Sequence, residues 1–394
     1  MTPARTAPTP AEIRERLAAL RRESGGLQLE AVARVLDGWS QAGSPWRARL
    51  ERELPAATGF SPAVVREGLE LALAGWSGDA LRELAELEMP GGQRQENSGV
   101  TGVLLAGSLP MPSILSLLAP LATGRAVLAK CASRDPVTPH VVARSLRDTA
   151  PELAARLQVV DFRGDDAERV AALCEADIVV ATGADETVAR VRGRRVLRHG
   201  HGLSVAALGP EACPAAELAL DVALWDQLGC LSPVAVYAQD ADAVAEALAK
   251  ALEQLETRLP RGSVDAHAAT LARNERDEAE LRGVPVHTGN TWTVVCERDA
   301  RPRPAPLHRF VRVHPASGVD ALAAALAPLA PHLAGVALAG FGPETPRAVD
   351  AAIGLGASRV CPPGRLQAPP LAWPRDGIGV LSSQARPASI EITY

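Results

Sequence analysis

Cys230 lies in the stretch "LWDQLGCLSPVAVY" (224–237), where a helix-like segment ending in polar residues gives way to an apolar strand. The glycine before it and the Ser-Pro after it mark a tight, irregular backbone. A thiolate at such a junction can attack an electrophilic carbon and later leave. A thiol there can equally fill space as a small hydrophobe, and spacing alone leaves both readings open. Lys130 ends the apolar run "AVLAK" (126–130) and is followed by "CASRDP". Ligands of parallel α/β sheets collect at the carboxyl ends of strands, so Lys130 is either a ligand-facing cation or an ordinary strand-end lysine. A second strand end lies in "DIVVATGADETV" (177–188), where an apolar run meets Thr182-Gly183 and a helix is expected to start with Asp185 as its N-cap. Helix N-termini attract phosphate, while the acidic pair Asp185-Glu186 opposes a close anion.

Other patterns carry no chemistry. "GLGASR" (354–359) has the glycine spacing of a dinucleotide fingerprint, but a helix precedes it and a strand follows, the reverse of what that motif needs; it reads as a helix C-cap and turn. The phosphate-loop pattern GxxxxGK[ST] is absent. Six cysteines, at 131, 174, 213, 230, 296 and 361, include no CxxC pair, and eight histidines complete no zinc pattern, so no metal site is expected and the thiols read as reduced.

The 394 residues carry a net charge of -5 and are 47% hydrophobic but only 3% aromatic. Cores must therefore be built from Ala, Leu and Val. No basic stripe with interleaved aromatics marks a nucleic-acid partner. No signal-like apolar region or membrane-length run is present, so the expectation is a soluble cytoplasmic protein without a membrane span. The first ten residues, "MTPARTAPTP", are expected to be disordered.

The elements that must position these residues follow from periodicity. The first ninety residues read as helical; "SPAVVREGLELALAGW" (61–76) has Ser61 as N-cap and Pro62 at the first helical position. "GGQRQENSG" (91–99) is a polar loop. Beyond it, strands are expected at 100–107, 126–130, 157–162 and 177–183, alternating with helices at 112–124, 136–149, 166–176 and 185–192. After the cysteine, strands at 234–238, 291–297, 310–315, 335–340 and 358–364 alternate with helices at 240–259, 318–330 and 346–356. Short apolar strands alternating with amphipathic helices imply parallel sheets covered on both faces. The reading is α/β, in two lobes, with Cys230 near the start of the second; a cleft between lobes is a usual meeting place for cofactor and substrate.

The ordered set strand–Ser-Leu-Pro, strand–Lys, strand–Thr-Gly and Gly-Cys-x-Ser-Pro resembles the aldehyde dehydrogenase superfamily, and within it the fatty acyl-CoA reductases that include the aldehyde-supplying enzyme of bacterial bioluminescence. Four stretches carry the resemblance: "GSLPMPSILSLLAPLATGRAVLAKCASRDP", "ADIVVATGADETV", "DQLGCLSP" and "WPRDGIGVL" (373–381). It implies an aldehyde dehydrogenase-like fold of two parallel-sheet lobes. Residues 1–209 would form a helical N-terminal region and an NAD(P)-binding lobe, 210–370 the catalytic lobe, and 371–394 a tail returning to the cofactor lobe or a neighbouring subunit. The last seven residues, "ASIEITY" (388–394), are a strand candidate. A homodimer or homotetramer is implied.

The resemblance further implies that Cys230 is the acylated nucleophile of an acyl-thioester reductase acting on acyl-CoA or an acyl carrier protein. Lys130, Ser133, Arg134, Thr182, Gly183, Ala184 and Asp185 would bind the cofactor. NADPH is expected at least as readily as NADH, because Ser133, with Arg134 beside it, stands where NAD-preferring relatives often carry an acid, and a Ser/Arg pair would accept a 2′-phosphate. Two departures matter. Ser108 replaces the usual oxyanion-hole asparagine, and "RHGHGLSVAALG" (198–209) lacks the glutamate base of the hydrolytic enzymes. His199 and His201 lie there instead, as proton shuttles or as plain loop residues. An aldehyde dehydrogenase, an acyl-phosphate reductase and a catalytically retired nucleotide-binding scaffold are the alternatives.

Overall fold

A computed structural model of the chain describes residues 7–89 and 98–385. The chain divides into two compact units, Met1–Glu53 with Leu73–Gly200 and Pro370–Tyr394, and Leu54–Ala72 with His201–Pro369. Five helices open the chain: α1 (Pro10–Glu23), α2 (Leu29–Ser40), α3 (Pro45–Thr58), α4 (Pro62–Leu73) and α5 (Gly78–Glu88). Order begins earlier than expected. Thr9 accepts a hydrogen bond from the Glu12 N–H while the Glu12 carboxylate accepts one from the Thr9 N–H, a reciprocal cap that fixes the start of α1 with Pro10 at its first position. The Ser61 hydroxyl accepts from the Val64 N–H at 3.2 Å, so α4 starts where its sequence indicates.

The first unit is built on a parallel sheet of order β3-β2-β1-β4-β5, from β1 (Val100–Leu104), β2 (Ala126–Lys130), β3 (Leu157–Val160), β4 (Ile178–Thr182) and β5 (Val196–His199). Every residue of β1 and β2 is buried, as a strand covered on both faces requires. The crossovers are α6 (Pro110–Ala122), α7 (Thr138–Thr149), α8 (Ala167–Leu173) and α9 (Asp185–Arg190). Ile13, Leu17 and Leu20 of α1 join Val100, Leu128, Leu173 and Val179 in one core.

The second unit carries a sheet of order β12-β11-β6-β7-β10-β9-β8. In chain order its elements are β6 (Leu203–Leu208), α10 (Ala215–Ala223), β7 (Pro233–Ala238), α11 (Ala241–Glu256), α12 (Ala266–Leu281), β8 (Val286–Thr288), β9 (Thr293–Cys296), β10 (Phe310–Pro315), α13 (Gly318–Leu326), β11 (Leu333–Ala339), α14 (Thr345–Gly354) and β12 (Arg359–Cys361). Among the described residues, only the β8–β9 pair of this sheet is antiparallel. Segment 201–209, counted from sequence with the first lobe, supplies the sheet's interior strand β6, between β11 and β7. Segment 54–72 also joins this unit: Phe60 meets the Trp225 ring edge-on at 5.5 Å, and a Cβ on Gly68 would collide with that indole. The described part of the tail, 370–385, packs in the first unit, where Val380 and Leu381 donate backbone N–H groups to Glu88. The strand candidate 388–394 lies outside the described residues.

Candidate active site

In the first unit the parallel sheet gathers the predicted cofactor residues at one edge. The registers align Leu104 with Lys130, Lys130 with Val160, and Thr182 with His199, so all these positions end their strands on the same side. Buried Ser108 follows β1, in the loop that leads to α6. Strand order reverses between β1 and β4, the kind of switch point at which ligands settle in open α/β sheets. Lys130 is only 5% exposed. Burial pushes its pKa down, against the opposing fields of Cys131, Asp161 and Asp165. Ser133 and Arg134 are exposed at the tip of a turn closed by the Asp135 N–H donating to the Ala132 carbonyl at 3.3 Å. The Asp135 carboxylate then accepts the N–H groups of Val137 and Thr138, starting α7. One expectation needs correcting. Asp185 is the first residue of α9 and not its cap; the cap position is Ala184, which has no side chain to donate to or accept from.

His199 ends β5, and its Nδ1 lies 2.7 Å from Asp376 of the Trp-x-x-Asp-Gly element. An ionised carboxylate only accepts, so Nδ1 carries the hydrogen and Nε2 is left to exchange a proton. Asp376 has a left-handed backbone, φ 55°. Its partnership with His199 was not legible in sequence, because 176 residues separate the two in the chain and neither neighbourhood announces the other.

At the carboxyl ends of β2 and β3, away from β5, Cys131, His140 and Asp161 bring a sulfur, a ring nitrogen and a carboxylate oxygen within 4.8 Å of one another. The same Nε2 of His140 faces Cys131 at 3.9 Å and Asp161 at 3.3 Å. Lys130 is adjacent, and Arg49, Arg144 and Arg147 line the adjoining cavity of about 570 Å³. Glu53 lines the same cavity and pairs with Arg49 at 3.0 Å, so the charges around this cluster are mixed.

In the second unit Cys230 sits on a turn in which the Ser232 N–H donates to the Gly229 carbonyl at 2.9 Å, immediately before β7. The thiol residue is half-buried. Its carbonyl accepts the Ser204 hydroxyl at 2.8 Å. Gln367 donates to the buried Ser232 hydroxyl at 2.8 Å, and Asp221 secures the 364–366 backbone by accepting from Gly364 and Leu366. The residue after His201 also reaches this place: a Cβ on Gly202 would lie 3.3 Å from the Cys230 Cβ. His201 meets His332 edge-on with ring centroids 5.8 Å apart. His332 carried no signal in the sequence.

Ahead of the turn, Trp225, Asp226 and Gln227 all have left-handed backbones, with φ of 56°, 48° and 66°. Each such non-glycine residue costs roughly 1–2 kcal/mol, so the surroundings must enforce the shape.

The acyl-CoA reductase (LuxC) family model matches residues 28–386. Two long-chain acyl-protein thioester reductases are similar over 300 residues: that of Aliivibrio fischeri at 24% identity and that of Vibrio harveyi at 25%, each over 68% of this chain. The chain spans 62% and 63% of the length of these curated relatives. Among solved structures, an oxidoreductase from Marinobacter aquaeolei matches with a TM-score of 0.70 at 15% identity, covering 90% of this chain and 83% of its own. A NAD-dependent benzaldehyde dehydrogenase from Corynebacterium glutamicum matches with a TM-score of 0.67 at 17% identity, covering 89% and 85%. The fold is thus that of the aldehyde dehydrogenases, as the strand-end motifs implied. With the family match running through both units, and with Cys230 on its Gly-Cys-x-Ser-Pro turn inside it, the chain belongs to the acyl-CoA reductase (LuxC) family.

Proposed function

We propose that this chain reduces an acyl thioester, carried by CoA or by a carrier protein, to the aldehyde with NADPH through an S-acyl intermediate on Cys230. The observation that carries the reading is the nucleophile turn. Burial pushes the thiols of Cys131, Cys174, Cys296 and Cys361 up, which suits them to inert packing. Exposure does not single out Cys230, since Cys361 is half-buried too and Cys213 is exposed; its glycine-preceded turn does, with a carbonyl and a serine both held by side chains.

In this mechanism the Cys230 thiolate attacks the thioester carbonyl carbon. The tetrahedral oxyanion collapses, the bond to the donor sulfur breaks, and the donor leaves as a thiolate that takes up a proton. The acyl group now rides on Cys230. The nicotinamide, when bound, supplies a hydride. Hydride addition to the acyl carbon leaves a thiohemiacetal alkoxide on Cys230; it re-forms the carbonyl as the carbon–sulfur bond breaks, releasing aldehyde and the Cys230 thiolate, which takes up a proton. Ser108 is the proposed side-chain donor to the oxyanion. His199, oriented by Asp376, is the proposed proton carrier.

The residues at the first sheet's carboxyl edge suit a dinucleotide: a buried ammonium at Lys130, the Thr182-Gly183 strand end, and the exposed Ser133-Arg134 turn. A hydroxyl beside a guanidinium suits a 2′-phosphate. Asp161 and Asp165, whose fields reach Lys130, oppose a phosphate brought to that ammonium, so the NADPH reading rests on Arg134. A homodimer or homotetramer is part of the same proposal. Cys230→Ala should abolish aldehyde formation from acyl-CoA and NADPH. Acyl-CoA alone should add one acyl group to the wild-type chain, located at Cys230 by mass spectrometry. Aldehyde from the variant, or acylation at another residue, would overturn the reading.

A further inference from the structure

Two left-handed triplets face each other in the second unit. One is Trp225-Asp226-Gln227, before the nucleophile turn; the other is Leu307-His308-Arg309, before β10, with φ of 65°, 56° and 69°. None of the six is glycine, so neither segment adopts this backbone by its own preference. Side chains lock the two together. Arg309, 1% exposed, donates from Nε and Nη2 to one Asp226 oxygen at 3.1 and 2.8 Å, and the Gly262 N–H donates to the other at 2.9 Å. The remaining Arg309 nitrogen donates to Glu256 at 3.0 Å and to the Leu259 carbonyl at 2.8 Å.

Gln227, also 1% exposed, does something different. Its amide nitrogen donates to the carbonyls of Phe310 and Pro233, at 2.9 and 2.8 Å, and its oxygen accepts the Phe310 N–H at 2.9 Å. Residues 227 and 233 bracket Leu228–Ser232, so this single side chain closes the base of the loop that presents Cys230 and pins it to β10. A buried ion pair adds little net stability over apolar groups of the same shape, although removing one partner alone is costly. What the Asp226–Arg309 pair supplies is direction.

We infer that Asp226, Gln227 and Arg309 are positioning residues that hold the left-handed segment before the nucleophile turn and thereby set the direction in which the Cys230 thiol leaves the backbone. The inference rests on the reading of Cys230 as the nucleophile. A loop released from this clamp keeps its substrate contacts but loses the aim of the thiol, so the rate of acylation falls while substrate affinity does not.

The test compares Asp226→Asn, which keeps the preference for a left-handed backbone but removes the charge, with Asp226→Asn combined with Arg309→Met, which removes both charges. Readouts are kcat and KM with a long-chain acyl-CoA and NADPH, the rate of Cys230 alkylation by iodoacetamide, and the melting temperature. Misplacement of a reacting group by about an ångström costs on the order of 100-fold in rate. Both variants are therefore expected to lose roughly 10- to 100-fold in kcat, with KM within about twofold, and to show a changed alkylation rate. The double variant should recover melting temperature without recovering kcat. If kcat returns together with melting temperature, or if only melting temperature moves, the clamp is structural and the inference falls. Gln227→Met, which leaves the ion pair in place, gives the same reading should Asp226→Asn fail to fold. Cys230→Ala separates the two levels: activity surviving in that variant defeats the nucleophile reading itself, whereas an inactive Cys230→Ala beside an unimpaired Asp226→Asn defeats the clamp alone.

Discussion

At the scale of single residues, the pairing of His199 with Asp376 makes the sharpest claim. A histidine whose Nδ1 is held by a carboxylate presents a fixed Nε2, and proton transfer by a positioned side chain is typically worth about 10²–10⁴-fold. His199→Ala should therefore lower kcat by roughly that factor, and Asp376→Asn by less, because an amide can still orient the ring. Steady-state kinetics with acyl-CoA check both; unchanged kcat in His199→Ala would leave it a strand-end residue with no part in catalysis. Arg134 makes a second claim. Arg134→Glu places a carboxylate where a 2′-phosphate would sit, and the ratio of kcat/KM for NADPH over NADH should fall about tenfold or more, the size of one lost charged contact. An unmoved ratio removes Arg134 from cofactor recognition. The candidate residues themselves were legible in the sequence because glycine, proline and strand-end patterns are local. Their partners were not. Asp376, His332 and Arg309 owe their roles to contacts across long stretches of chain, which no local pattern encodes.

At the scale of elements, most strands with continuous apolar runs are readable in the sequence, 126–130 to the residue, but the interior strand β6 (Leu203–Leu208) is not among those expected. Helix α12 escaped notice, because Ala279 is the only buried residue along it and an apolar stripe is the main signal of a helix. The short strands β5 and β8 were missed for the related reason that they are only partly buried and β8 sits at a sheet edge. Helix α10 carries a consequence that sequence could not give. Its Asp221 is fully buried, and burial pushes the carboxyl up to about 7 even though Gly364, Gln367 and Leu366 backbone groups favour the ionised form. A raised folded pKa means that stability is fully present below the unfolded value of about 3.9 and is lost as pH climbs through about 7. Between pH 5 and pH 8 the wild-type chain should lose about 2–3 kcal/mol relative to Asp221→Asn, which does not titrate. Urea unfolding of both proteins at the two pH values checks this; parallel pH dependences would show that Asp221 is already ionised in the folded chain. Because Asp221 secures the segment whose Gln367 holds Ser232, kcat should decline over the same window.

At the scale of the whole molecule, the proposed cofactor residues and the proposed nucleophile belong to different compact units. The first unit carries Lys130, Ser133, Arg134 and the Thr182–Asp185 strand end; the second carries Cys230 and the clamp that holds its turn. Acyl transfer from a thioester to Cys230 consumes no reductant, so it needs none of the residues proposed to bind the cofactor. Cofactor recognition needs no thiol. The two partial reactions should then separate by mutation. Cys230→Ala should bind NADPH with a Kd within about twofold of the wild type while forming no acyl-enzyme. Lys130→Ala should weaken NADPH binding by roughly 10-fold or more, about the 1.5–3 kcal/mol of a charge-assisted hydrogen bond, yet acylate at Cys230 from acyl-CoA at close to the wild-type rate. Fluorescence titration of NADPH and mass spectrometry of the acylated chain measure the two arms independently. The absence of an acid in 198–209 adds the fate of the intermediate. Without a positioned base to activate water, the acyl-enzyme of Lys130→Ala should return its acyl group to added CoA faster than it releases free acid. If free acid dominates with CoA in excess, a hydrolytic base operates, and His199 and then His201, which precedes the Gly202 packed close to Cys230, are the residues to replace next.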